Sequence, residues 1–206
     1  MKQKATGIFL RGVLAALVIG AVFAGSASAS PAWRFNGEEL KTSETILGAA
    51  EKSGLTIPGM TTTCENFLYN ITISNKGGTG EGSITELPLY NCTTNTKCTV
   101  EAIEVLSLPY PANLTTVSST NYIVIKGIKV KILYGNPLCA VNKTWVEITG
   151  TAGGSINNAT ESATFSPTTF KATETSLKAF GNSVEWNGVF PTESFEWHRE
   201  QALSVS

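Results

Sequence analysis

The chain has 206 residues, of which 42% are hydrophobic and 15% charged, a composition typical of a folded protein and not of a disordered or fibrous one. Its 15 basic and 16 acidic side chains nearly balance, which excludes the strongly positive surface that nucleic-acid binding requires. Every acidic residue is Glu and His198 is the only histidine, so the composition disfavours most hydrolytic and metal-dependent chemistry.

Residues 1–29 have the pattern of a secretory signal peptide. A basic start precedes the apolar residues 13–24, and Ala27-Ser28-Ala29 supplies the small residues of a cleavage site. We therefore expect a secreted chain that begins at Ser30 and has no membrane span after leader removal. A retained membrane anchor is the alternative reading, since residues 12–29 carry no charge.

After the leader, apolar and polar residues alternate with a period of two, which is the pattern of half-buried β-strands. Residues 67–73 and 128–134 show it most clearly, and further candidate strands are residues 100–106, 122–126, 145–149, 163–165 and 184–186. Turn signals between the runs include Gly77-Gly78, Gly135-Asn136-Pro137, Gly153-Gly154, Gly181-Asn182 and Asn187-Gly188. This pattern predicts one all-β domain over residues 30–206, a β-sandwich or a barrel-like fold.

At most one short helix is expected. The best candidate is residues 43–52, where Glu44, Leu47, Ala50 and Glu51 have helix-like spacing. The β-branched pair Thr45-Ile46 and Gly48 weaken it, because both lower helix propensity.

Four cysteines, Cys64, Cys92, Cys98 and Cys139, follow the leader. An even number in an exported chain indicates two disulfides, and separations of 28, 6 and 41 positions lack the short spacings of zinc-binding cysteines. We predict a bond between Cys92 and Cys98, because the polar residues 93–97 form a turn that brings them together. Cys64 then pairs with Cys139. The alternative in which Cys64 pairs with Cys92 stays open, since loop entropy separates the two by only about half a kcal/mol.

Trp33, Trp145, Trp186 and Trp197 either belong to a β core or form a platform on which sugar rings stack. Core packing is the better reading for the set. The core reading also leads for Trp145, but by less, because Trp145 alternates with Val146 and Ile148 and is the tryptophan that faces solvent if those two point inward. We therefore name Trp145 as the candidate ligand-contact residue.

Paired carboxylates suggest a glycoside hydrolase as an alternative function, since that reaction needs two carboxyl groups about 5 to 10 Å apart. Glu185 with Glu193 and Glu101 with Glu104 are candidate pairs, but sequence spacing does not establish such a distance. Glu196, His198 and Glu200 would share one strand face, and this pattern is more typical of a solvated surface than of a metal site. We assign no catalytic residue, no metal and no cofactor.

Several fragments together resemble a known group of proteins. They are residues 33–37 (Trp-Arg-Phe-Asn-Gly), residues 55–64, which end at Cys64, the tripeptide Tyr90-Asn91-Cys92, and Glu185-Trp186-Asn187-Gly188. The chain resembles secreted β-rich proteins that soil actinobacteria carry as many related copies and that have no assigned activity. The resemblance covers most of the chain after the leader, and it implies an exported bacterial protein that is not an enzyme.

The leader, the cysteines and the scarcity of catalytic groups lead to one expected function. We expect a secreted, non-catalytic β-sandwich protein that binds a cell-envelope component or an extracellular polymer such as a polysaccharide. A secreted hydrolase that uses paired Glu residues is the first alternative, and a structural component of the envelope is the second.

Overall fold

The structure is a computed structural model that describes residues 30–166, 176–191 and 203–206, so the predicted leader lies outside it. Within these ranges the chain is almost entirely β-strand, with one 3-10 turn, Lys76–Gly78, and no helix long and apolar enough to cross a bilayer. In chain order the strands are β1 (Trp33–Phe35), β2 (Glu38–Glu39), β3 (Glu44–Ile57), β4 (Met60–Ser74), β5 (Glu81–Glu86), β6 (Leu89–Thr94), β7 (Thr99–Val105), β8 (Tyr110–Val117), β9 (Thr120–Gly135), β10 (Thr144–Asn157), β11 (Ser162–Phe165), β12 (Lys178–Ala179), β13 (Asn182–Ser183), β14 (Glu185–Pro191) and β15 (Leu203–Val205).

Antiparallel pairing closes the long strands into a barrel. Neighbouring strands follow in the order β10, β11, β14, β3, β4, β5, β8 and β9, and β9 pairs with β10 to complete the ring. Two more strands belong to the barrel wall, since β6 pairs with β4 and β7 pairs with β9. Together with the eight strands of the ring they form a closed barrel of ten strands, and the remaining described strands lie outside it. The prediction of an all-β fold, a sandwich or a barrel, is therefore confirmed, and of these two the structure is the barrel.

The alternating pattern that predicted the strands also fills the barrel. In β9, Ile128, Val130 and Ile132 are buried inside, whereas Lys129 and Lys131 lie on the outer face. Burying each of these apolar side chains contributes roughly 1.5–3 kcal/mol relative to leaving it in water. The same pairing that closes the ring thus encloses one continuous hydrophobic core.

The helix predicted for residues 43–52 is wrong, because most of these residues belong to β3, which pairs with β4 along almost its whole length. Ile46 and Ala50 point into the core, and Gly48 lies between them on the same face. A Cβ atom at Gly48 would overlap the ring of Tyr69 on β4. Pairing with β4 and packing against this ring outweigh the helix-like spacing.

Two of the predicted turns are also wrong. Gly153-Gly154 lies within β10 and Asn187-Gly188 lies within β14. Gly154 is required by packing and not by a turn, since a Cβ atom there would collide with the ring of Phe165 on the neighbouring strand. Gly77 and Gly181 do occupy turns, with φ angles of 76° and 78° that favour glycine.

The four cysteines form two disulfides, but the predicted pairing is wrong. Cys64 is bonded to Cys92, and Cys98 is bonded to Cys139. Cys64 on β4 and Cys92 on β6 are directly opposite each other, with Cα atoms 3.9 Å apart. The turn after β6 is closed instead by the hydroxyl of Thr94, which donates to the carbonyl oxygen of Cys98 at 2.7 Å.

A small sheet of β15, β1 and β2 packs against the barrel core. Trp33 and Leu203 are buried and line the same interior cavity as residues of the barrel wall. The Asn75 side chain accepts the Trp33 N–H at 2.8 Å and donates to the Trp33 carbonyl at 2.9 Å. The Asn158 side chain makes the same two bonds to Val205, at 2.9 and 2.7 Å. Two asparagine amides therefore attach the small sheet to loops of the barrel.

Removing the Cys64–Cys92 bond with the double variant Cys64→Ala/Cys92→Ala should lower the free energy of unfolding by about 2–4 kcal/mol, because the bond closes a loop of 28 positions. Guanidinium unfolding of the oxidised proteins measures the loss. Thiol titration of the unfolded proteins checks the pairing. The variant should show no free thiol, whereas Cys64→Ala/Cys139→Ala should show two, and a disulfide between Cys92 and Cys98 in the latter would contradict the structure.

Tyr134→Phe should lower the free energy of unfolding by about 1–3 kcal/mol. The Tyr134 hydroxyl lies 2.6 Å from Oγ1 of Thr62 inside the barrel, and its removal leaves a buried hydroxyl without this partner. Burial raises the pKa of Tyr134, which agrees with a phenol that has left water. The control is Tyr90→Phe, at a side chain that is half exposed, which should change stability by less than about 0.5 kcal/mol. Equal losses in the two variants would argue against a stabilising buried bond.

Candidate functional site

The tryptophans divide into buried and exposed positions. Trp33 and Trp186 are buried, as the core reading predicted. Trp145 has 38% of its surface exposed, while Val146 beside it is fully buried, so the predicted exposure of Trp145 is confirmed. Trp197 lies outside the described residues. Ligand contact by Trp145 stays a prediction.

Trp186 belongs to an aromatic cluster inside the barrel. Its ring stacks on Phe165 at a centroid distance of 4.9 Å and meets the edge of Phe190 at 5.7 Å. Its indole N–H donates to Oγ of Ser53 at 2.6 Å, which satisfies the one polar group of the ring. These contacts give Trp186 a structural role.

The pairing of β9 with β10 determines what surrounds Trp145. On the outer face, Trp145 lies opposite Leu133, and Glu147 lies opposite Lys131. The next residue of this face on β9 is Lys129. We call these five residues, Leu133, Trp145, Lys129, Lys131 and Glu147, the Trp145 face. It combines one large aromatic ring with polar groups about 7 Å further along the strand.

Charges on the Trp145 face are paired but accessible. Nζ of Lys129 and Nζ of Lys131 each lie 3.6 Å from a carboxylate oxygen of Glu147. All three side chains are 34–41% exposed, so solvent screens the pairs and each contributes less than about 1 kcal/mol to stability. The two ammonium groups and the carboxylate therefore form a row of hydrogen-bond donors and acceptors along the strands from the indole ring.

A second surface feature lies on another part of the barrel wall. It is an open depression of about 650 Å³ with a mid-strand glycine, Gly54 of β3, at its floor. We call it the Gly54 depression. Its other outward-facing residues are Lys52, Thr61, Thr63, Thr164, Asn187 and Val189. Its volume is in the range of small-molecule sites, and its lining is mostly apolar surface in which a few hydroxyl and amide groups and the Lys52 ammonium are interspersed.

The interior of the barrel offers much less room. A cavity of about 60 Å³ remains between apolar side chains, among them Ile71, Ile123 and Phe190, and a second measures about 20 Å³. Apolar cavities of this size stay dry, and both are well below the volume of a drug-sized ligand site. We therefore regard them as packing defects of the core.

The structure describes both members of only one of the two predicted carboxylate pairs. Glu101 and Glu104 lie on β7, and Glu101 accepts two hydrogen bonds from Nζ of Lys143, at 2.6 and 2.8 Å. Glu185 lies at the start of β14, but Glu193 is outside the described residues. Glu196, His198 and Glu200 are outside them as well. Among the residues that the structure does describe, no group of three or more His, Cys or Glu side chains is placed to hold a metal ion.

Comparison of the chain with models of protein families, with curated proteins and with solved structures finds no match. The assignment of a site therefore depends on geometry alone.

Sequence reasoning missed the Gly54 depression. Two signals were present: the three consecutive threonines at residues 61–63, of which the first and third face outward, and a glycine inside an alternating strand pattern. The strand glycine alone could not identify the depression, because only the register brings Thr63 and Asn187 to either side of Gly54.

Gly54→Ala should leave the free energy of unfolding unchanged or raise it by about 0.4–1 kcal/mol. A Cβ atom there would meet nothing closer than 3.8 Å, and alanine has less freedom to lose on folding. Gly48→Ala on the same strand is the matched comparison and should cost at least about 1 kcal/mol, because its Cβ atom overlaps the ring of Tyr69. Chemical unfolding measures both, and a large loss in Gly54→Ala would show that the fold itself requires this glycine.

Proposed function

We propose that this protein is a secreted, non-catalytic binding protein that holds an extracellular or cell-envelope polysaccharide on its Trp145 face. The observation that carries the proposal is the exposure of Trp145 on a rigid, fully paired strand. The faces of pyranose rings carry C–H groups, and these stack on an indole ring that is held in place. The exposed part of the Trp145 ring offers an apolar surface together with a polar N–H group, which suits contact with a sugar.

The neighbouring charges support the same ligand class. The Lys131 ammonium donates hydrogen bonds and the Glu147 carboxylate accepts them, so a sugar stacked on Trp145 finds both partners for its hydroxyl groups. Lys129 and Lys131 are balanced by Glu147 and by Glu104, which lies opposite Lys131 on β7, so the face has no strong preference for a charged ligand. Placement on strands keeps this geometry fixed before the ligand arrives.

Secretion is part of the proposal. Two disulfides support it, since such bonds persist mainly in oxidising compartments outside the cytosol. The leader pattern of residues 1–29 and the resemblance to secreted proteins of soil actinobacteria agree with it, and both remain predictions from sequence. The hydrolase with paired Glu residues and the structural envelope component remain the alternatives.

A sedimentation assay with insoluble cellulose, chitin, xylan and peptidoglycan tests the function. The unmodified protein should bind at least one of them, and Trp145→Ala should weaken that binding about tenfold, or about 1.4 kcal/mol, through loss of ring stacking. The control is Phe180→Ala, which removes another exposed aromatic ring outside the Trp145 face and should leave binding unchanged within about twofold.

The other outcomes of this assay distinguish between the alternative functions. If Trp145→Ala binds as well as the unmodified protein, the Trp145 face is not the binding surface. Release of soluble sugars that a single Glu→Gln change abolishes would establish the hydrolase instead. Failure to bind any of the four polymers would favour the structural alternative.

A further inference from the structure

The Gly54 depression contains a slot between two polar side chains. Thr63 on β4, Gly54 on β3 and Asn187 on β14 lie directly opposite one another in three adjacent strands. Adjacent strands are about 4.8 Å apart, so the backbones at Thr63 and Asn187 are about 10 Å apart and their side chains rise on either side of Gly54. The floor of the slot is the backbone at Gly54, which has no side chain to fill it.

The folded chain itself gives no reason for a glycine at this position. Gly54 is not among the residues with positive φ, and a Cβ atom there would make only ordinary contacts, the nearest at 3.8 Å. A glycine inside a strand costs roughly 0.5–1 kcal/mol relative to alanine. In the absence of a bulge, a sharp bend or a packing demand, such a glycine marks a place where another molecule approaches the backbone closely.

The walls of the slot offer neutral hydrogen-bonding groups. Within the described residues, neither the Thr63 hydroxyl nor the Asn187 amide has a side-chain or backbone hydrogen-bond partner, so both are available to a ligand. The Thr61 hydroxyl lies 3.0 Å from that of Thr56 and extends the row of hydroxyls along the slot. Hydroxyls and an amide can each donate and accept, which matches the hydroxyl groups of a sugar.

Charge and backbone pairing argue against other ligand classes. Lys52 is the cation that lines the depression, and Glu65 lies directly opposite it, while Glu185 lies opposite Thr56 at the other end. This balance does not favour a phosphate or another anion. An extended peptide would need an unpaired strand edge, but Gly54 is paired on both sides, with β4 and with β14.

We infer that the Gly54 depression is a second binding site, independent of the Trp145 face, for one or two rings of a soluble, uncharged oligosaccharide. One ring lies over the Gly54 backbone between Thr63 and Asn187. Tyr90 on β6 is half exposed and lies opposite Glu65, in the next row of outward-facing residues, where it offers an aromatic surface for a further ring.

The test is a titration with soluble tetrasaccharides of glucose, xylose and N-acetylglucosamine, followed by backbone amide shifts in two-dimensional NMR. At least one should shift the amide signals of Gly54, Thr63 and Asn187. Gly54→Leu, which fills the slot, should weaken binding about tenfold or more. Thr45→Leu is the matched control, since it places the same side chain at an exposed position of β3 outside the depression, and it should bind normally.

A milder variant keeps the test valid if Gly54→Leu does not fold. Asn187→Ala removes one wall of the slot at an exposed position and should weaken binding about threefold to tenfold, a loss typical of one hydrogen bond. Trp145→Ala should leave oligosaccharide binding unchanged, which separates this site from the Trp145 face. The inference is overturned if no tetrasaccharide shifts these amides at about 10 mM, a concentration that detects even millimolar dissociation constants, or if Gly54→Leu and Asn187→Ala both bind normally.

Discussion

The pairing of β9 with β10 is the constraint on which the rest of the barrel depends. The two strands remain in register over most of their length, with one irregularity between Gly150 and Ala152. Without this pairing both strands would be edges with unpaired N–H and C=O groups. Closure places alternate residues of β10 inside, so Val146 and Ile148 enter the core and Trp145 must face outward. The exposure of Trp145 is thus a consequence of ring closure.

Glycines decide where bulky rings fit in the closed barrel. Gly48 makes room for the ring of Tyr69, and Gly154 makes room for the ring of Phe165, each across a pair of neighbouring strands. A barrel interior has to match large and small residues in this way, because its diameter is limited by the number of strands. Gly54 differs from these two, since it faces outward and, among the described residues, no atom comes closer than 3.8 Å to a Cβ atom placed there. The same residue type therefore serves the core at two positions and creates surface space at a third.

The sequence alone was sufficient to predict the features that depend on the alternation of apolar and polar residues along one strand. The strand of residues 128–134 and the outward position of Trp145 follow from a period of two, and the structure has both. The disulfide pairing depends on which strands become neighbours, and Cys64 meets Cys92 only because β6 pairs with β4. The Gly54 depression depends on the register of three strands. The spacing of residues 43–52 suggested a helix, but these residues form a strand because contacts with the partner strand β4 outweigh helix-like periodicity.

The small sheet has a consequence for the order in which the molecule assembles. Arg34 on β1 donates to the Ser206 hydroxyl after β15, and these two residues are 172 positions apart in the chain. A contact between such distant residues can form only after Ser206 has been synthesised, and it belongs to the slow class of folding events. Until β15 arrives, Trp33 lacks its partner strand, and the interior cavity lacks Leu203 from its lining. Completion of this part of the core is therefore a late step.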